Sequence, residues 1–114
     1  MYIADDSDVV RTALAHRLTA AGLRVQAGRC AAHSRSVTTR GFACALLDLD
    51  LGDGDGVDVA WVLRGHQPAL PVAFFSGGAP PAIVDRAREI GPIFRKPDEL
   101  EAAVAWVVAR SRAA

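Results

Sequence analysis

Long apolar runs, paired cysteines and a surplus of either charge are all missing from this 114-residue sequence. No stretch approaches the roughly 20 apolar residues needed to cross a bilayer. Met1 leads almost directly into an apolar and then acidic segment with no basic region before it, which argues against a secretory leader. The two cysteines, Cys30 and Cys44, form no C-x-x-C, and Cys44 sits in the apolar run Ala43-Cys44-Ala45-Leu46-Leu47, where a reduced, buried thiol is expected. These features point to the cytoplasm. Thirteen basic and thirteen acidic residues cancel, so bulk charge gives no reason to expect a nucleic-acid-binding surface. Internal repeats, linkers and low-complexity tracts are also absent. The expectation is one domain over residues 1–114, with a hydrophobic content of 51% that can fill a core without staples.

What is present is unevenly placed. Eight of the thirteen acids lie in two short segments, Asp5-Asp6-Ser7-Asp8 and the run from Asp48 through Asp50, Asp53 and Asp55 to Asp58. Like charge so crowded calls for a cation or an exposed loop. Twelve of the basic residues are arginine and one is lysine, Lys96.

Short apolar runs alternate with stretches of helical period, the pattern of a parallel sheet wrapped by helices. The strands are predicted at Tyr2-Ile3-Ala4, Leu23 to Ala27, Ala43 to Leu47, Pro71 to Phe75 and Pro92-Ile93-Phe94. The first helix carries Val10, Leu14, Leu18 and Ala21 inward and stops at Gly22, and a weaker one, rich in Ser and Thr, runs from Ala31 to Thr39. A third spans about Val57 to Gly65, a fourth uses Ile83, Ala87 and Ile90, and the last, Pro97 to Ala109, turns Leu100, Val104, Val107 and Val108 inward. The fold class is therefore α/β: a doubly wound, five-stranded parallel sheet with helices on both faces.

Ligands of such sheets bind in the crevice beyond the carboxyl ends of the strands. The reactive residue types collect there: Asp5 and Asp6 after the first strand, Asp48 after the third, Ser76 after the fourth and Lys96 after the fifth. Carboxylates gathered at one crevice repel one another unless a hard cation sits among them, and magnesium takes oxygen ligands. A hydroxyl and an ammonium at the same rim can bind phosphoryl oxygens.

Asp-Asp after the first strand, Leu-Leu-Asp-x-x-Leu followed by Asp-Gly, Ser-Gly after the fourth strand and Lys-Pro after the fifth together resemble the receiver domain of bacterial two-component response regulators. The resemblance covers essentially the whole chain and implies a flavodoxin-like fold. It implies that Asp48 is the phosphoacceptor, that Ser76 and Lys96 contact the phosphoryl group, and that Mg2+ is held by Asp6 and Asp48, by Asp5 through water, and by the backbone carbonyl of Asp50. A histidine kinase or phosphotransfer protein is the implied partner. An output domain or effector and a homodimer are compatible with it, and no direct nucleic-acid or membrane contact is implied. The only catalysis implied is of the domain's own phosphorylation and dephosphorylation.

Two departures bear on switching. Gly52 stands where the family usually has proline, and Ile93 stands where an aromatic residue often rotates; Phe94 is adjacent but points to the opposite face of the strand. The Pro80-Pro81 pair suggests an altered fourth helix. The run from Ala45 to Asp50 also resembles the first motif of haloacid-dehalogenase-type phosphatases, although here the acidic pair precedes the nucleophile and the chain is short for that fold. A receiver-like module that never takes phosphate is the other rival, yet no acid, hydroxyl or lysine is lost. The Gly-Asp run from Gly52 to Asp58 fails EF-hand spacing and reads as a solvated loop. His16, His33 and His66 lack metal-ligand spacing, and Trp61 and Trp106 read as helix packing residues.

Overall fold

The computed structural model describes residues 1–37 and 41–113. Its elements run β1 (Tyr2–Ala4), α1 (Asp8–Ala20), β2 (Gln26–Gly28), α2 (Ala31–Arg35), β3 (Ala45–Leu47), α3 (Gly56–His66), β4 (Val72–Ser76), α4 (Pro81–Arg88), β5 (Ile93–Arg95) and α5 (Leu100–Ala113). All five strands pair in parallel in the order β2-β1-β3-β4-β5. This is the expected doubly wound sheet, with the strand order reversing between β1 and β3, the point at which such sheets bind ligands.

Strand period sorts the interior into two layers. Tyr2 and Ala4, Ala45 and Leu47, and Val72 and Phe74 face one side, where Ala31 of α2, Val59, Ala60 and Leu63 of α3 and Ala87 of α4 cover them. Ile3, Leu46, Ala73 and Phe75 face the other, against Leu14 and Leu18 of α1 and Ala103, Val104 and Val107 of α5. Buried on both faces, the central strands read as continuous apolar runs.

Helix starts follow local chemistry. The Ser7 hydroxyl accepts the Val10 amide at the head of α1, the Asp55 carboxylate accepts the Asp58 amide at the head of α3, and Pro81 occupies the first turn of α4. The fourth helix is therefore present, but short.

The boundaries differ from expectation where apolar residues pack without pairing. Leu23 and Val25, placed in the second strand from sequence, instead pack partly buried against the α1–α5 layer, and the ladder begins only at Gln26. Gly28 is the last residue of that strand, and only glycine fits there, since a Cβ would lie 2.0 Å from the Tyr2 hydroxyl. Ala21 is exposed at the C-cap of α1 rather than inward. The last helix starts at Leu100 and runs on to Ala113. The second helix ends at Arg35, and Thr38 and Thr39 lie outside the described residues. Trp61, expected to pack, is 57% exposed, because Val57, Val59, Ala60 and Leu63 already fill the inner face of α3.

Cys44 is fully enclosed, and burial pushes its thiol above the usual range, whereas Cys30 is partly accessible. The thiolate is the reactive form. An alkylating reagent at neutral pH is therefore expected to modify Cys30 alone in the native protein and both cysteines in denaturant, as read by intact mass. Equal labelling of both in the native state would contradict this packing.

Candidate functional site

Asp5, Asp48 and Lys96 each sit one step beyond a strand whose neighbour holds the backbone, while Ser76 is the last residue of its own strand. The Asp5 amide donates to Gly28 O at 3.1 Å, the Asp48 amide to Ala4 O at 2.7 Å and the Lys96 amide to Ser76 O at 2.9 Å. The ladder therefore delivers Asp5, Asp48 and Lys96 to one crevice from three different strands.

Lys96 is the centre of that crevice. Its Nζ lies 2.7 Å from Asp5 Oδ2 and 2.9 Å from Asp48 Oδ2, and 5.6 Å from the centre of the Phe75 ring. Both acids are buried. Burial pushes the Asp48 carboxyl above the usual aspartate range, partly offset by the Lys96 hydrogen bond and charge. Burial opposes the Lys96 ammonium, but the hydrogen bonds and charges of Asp5 and Asp48 outweigh it and hold Lys96 above the usual lysine range. The remaining carboxylate oxygens are also engaged: Asp5 Oδ1 accepts the Ser7 amide at 2.9 Å, and Asp48 Oδ1 accepts the Asp50 amide at 3.2 Å.

Asp6 is exposed at the mouth of the crevice. Oxygens of Asp5, Asp6 and Asp48 all come within 4.8 Å of one another, close enough to share one cation. A hard divalent ion with carboxylate ligands and several waters suits such a set, so the residues present fit magnesium. Asp50 faces Asp55 across a short antiparallel bridge whose hydrogen bonds are made instead by Leu51 with Gly54 and Gly56 with Leu49. The Asp50 N–H points at Asp48.

Ser76 is buried at the end of β4, and its hydroxyl exchanges long bonds of 3.2 and 3.3 Å with the amide and carbonyl of Gly78. A turn and a place at the rim thus coexist. A cleft of about 620 Å³ opens beside it, reached by Ser76, Gly78, Ile93 and Lys96. Ile93 packs against the α3–α4 layer and Phe94 against the α1–α5 layer, the opposite facing expected of neighbours on a strand.

Three supporting residues were not legible in the sequence. Arg11 Nη1 donates to the Asp5 carbonyl at 2.8 Å. Gly56 lies so close beneath Asp48 that a Cβ would come within 2.1 Å of the Asp48 carbonyl oxygen; its Asp-Gly motif was visible, its role was not. Asp53 is tied to α2, so the Gly-Asp run is not simply a solvated loop. The three histidines are exposed and apart.

The sequence model of the response regulator receiver domain matches residues 1–104. The chain belongs to that family. Among solved structures it is similar to a response regulator receiver protein from Sinorhizobium medicae WSM419, with 26% identity over 96% of this receiver and 94% of that chain and a TM-score of 0.78. A receiver domain protein from Methanospirillum hungatei JF-1 shares the fold at 19% identity, over 99% of this receiver and 96% of that chain, with a TM-score of 0.80. A response regulator from Burkholderia pseudomallei, solved with a phosphorylated aspartic acid, a calcium ion and citrate, shares it at 22% identity, over 98% and 69%, with a TM-score of 0.76. No curated protein matches significantly. The receiver is a two-component signalling module, and the matched family is not that of the phosphatases. Among the described residues no helix is long and apolar enough to cross a membrane.

Removing Lys96 would leave Asp5 and Asp48 buried without their counter-charge. Breaking a buried pair from one side costs about 3–5 kcal/mol, and Lys96→Met is expected to lose about 3 kcal/mol at neutral pH. The sign follows from the shifts. The Lys96 contribution is complete below the ordinary lysine pKa and is lost only as pH rises through its raised folded value. The raised Asp48 carboxyl takes up a proton more readily in the folded state, so the deficit of the variant should shrink as pH falls from neutral toward the Asp48 range. Urea denaturation at several pH values measures this, and a deficit that grows on acidification would contradict the charge arrangement.

Proposed function

We propose that this receiver takes a phosphoryl group onto Asp48 from a phosphohistidine of a kinase or phosphotransfer protein, in a magnesium-dependent reaction that controls an output domain or effector. The observation that carries the reading is the convergence of Asp5, Asp6 and Asp48 with the Lys96 ammonium at the carboxyl ends of three strands. The phosphorylated aspartic acid of the Burkholderia pseudomallei regulator supports it by likeness of fold.

In this reading an Asp48 carboxylate oxygen forms the bond to phosphorus as the phosphorus–nitrogen bond to the donor histidine breaks, and the electron pair leaves with the imidazole. Asp6, Asp48, the Asp50 carbonyl and, through water, Asp5 would hold magnesium, which when bound would supply positive charge against the phosphoryl oxygens. Asp50 N–H orients the Asp48 carboxylate. Lys96 transfers a hydrogen bond from Asp48 to a phosphoryl oxygen, and the Ser76 hydroxyl exchanges its long bonds to Gly78 for another. The work of preorganised donors is to meet charge as it develops. Residues 1–114 act as one unit, in the cytoplasm, on no substrate beyond their own aspartate, and a second copy of the chain is an admissible partner.

Acetyl phosphate with magnesium should add the mass of one phosphoryl group to the wild type and none to Asp48→Asn. Unchanged labelling of the variant would remove Asp48 from this role.

Lys96→Arg retains charge but brings a planar fork to a place where one compact ammonium meets two carboxylates. The variant should bind beryllofluoride about tenfold more weakly, the loss of roughly one charge-assisted hydrogen bond of about 1.5 kcal/mol. Equal affinity by calorimetry would refute the match between the site and lysine.

A further inference from the structure

The loop between Asp48 and Gly56 folds back on itself as a small hairpin. Leu51 N–H donates to Gly54 O at 3.0 Å, Gly56 N–H donates to Leu49 O at 3.1 Å, and Gly52 and Asp53 form the tip. Gly52 has φ +80°, a left-handed conformation that glycine adopts freely and proline's ring forbids. The loop therefore follows a path closed to the proline that the family usually has here. Asp50 Oδ1 holds the near side of the turn by accepting the Gly52 amide at 3.0 Å.

That path carries Asp53 onto the start of α2. Its Oδ1 accepts the Ala31 amide at 2.7 Å and its Oδ2 accepts the Ala32 amide at 3.0 Å. The first amides of a helix have no partner within the helix, and here the usual cap is divided. Cys30 Sγ takes only the His33 amide, at 3.4 Å, and Asp53 takes the other two from 21 and 22 residues away. Both carboxylate oxygens are used, so the tip of the loop is fixed in position and in orientation. Only two residues separate Asp53 from Asp50, whose amide donates to Asp48 Oδ1 at 3.2 Å.

We propose that Asp53 is a positioning residue for the phosphoacceptor site: by capping α2 from the loop tip, it holds the hairpin and with it the Asp50 backbone in register with Asp48. The tether replaces the stiffness that a proline would give. The magnesium part of this rests on the function proposed above; the loop part does not.

The test compares Asp53→Ala and Asp53→Asn with the wild-type chain, and uses Ser34→Ala as a control. Ser34 belongs to α2 and bonds the Tyr2 hydroxyl and the Cys30 carbonyl, away from the loop. Amide hydrogen exchange without metal should be faster at Asp50 in Asp53→Ala and close to wild type in Ser34→Ala, even where both variants melt at lower temperature. Magnesium affinity, by calorimetry well below the melting range, should fall about tenfold in Asp53→Ala, within the span seen when partners behind metal ligands are removed. Asp53→Asn, which keeps one acceptor oxygen, should fall between. Unchanged Asp50 exchange in Asp53→Ala, or an equal change in Ser34→Ala, overturns the proposal. A wild-type chain that binds no magnesium overturns the function proposed above instead, and the exchange comparison still decides the role of Asp53.

Discussion

Two buried carboxylates that face the same point must repel, and in a low-dielectric crevice the repulsion is large unless a counter-charge is built in. Among the described residues the counter-charge paired with both is Lys96, delivered by β5 to within hydrogen-bonding distance of Asp5 from β1 and Asp48 from β3. The rest of the fold serves that meeting. The parallel ladder sets the three backbones side by side, the two apolar layers hold the ladder, and close glycine contacts let neighbouring segments come near enough. Asp6 adds a third acid at the open side, which leaves the cluster short of positive charge.

The strand ends were legible because parallel strands buried on both faces announce themselves as apolar runs, and the residue after each run is conspicuous when it is Asp, Ser or Lys. Ala45-Leu46-Leu47 before Asp48 and Val72 to Phe75 before Ser76 are the clearest cases. The edge strand was harder: Gln26, Ala27 and Gly28 carry little hydrophobic signal, and the flanking Leu23 and Val25 are apolar for a different reason. What the sequence could not show were contacts between distant segments. Arg11 on the Asp5 carbonyl and Asp53 on α2 are surface-type residues by composition, and only the fold brings them to their partners.

The departures from the family pattern leave the charged residues themselves in place. Ile93 and Phe94 are each committed to an apolar layer, on opposite sides of β5. Neither offers the Ser76 cleft a ring with a polar edge.

The apolar layers on both faces of β1, β3 and β4 have a consequence for how the chain finds its own alignment. In a sheet with one wet face, a slip of one residue exposes the greasy side and is rejected at once. Here a slip would exchange one apolar layer for the other, and burial alone would register little difference. The index marks must lie elsewhere. Only glycine fits at position 91, where a Cβ would lie 1.8 Å from the Val72 carbonyl oxygen, and at position 56, where one would lie 2.1 Å from the Asp48 carbonyl oxygen, and Lys96 reaches two acids only if three strands stop level. The cluster of charge at the strand ends is thus also the ruler against which the sheet is aligned.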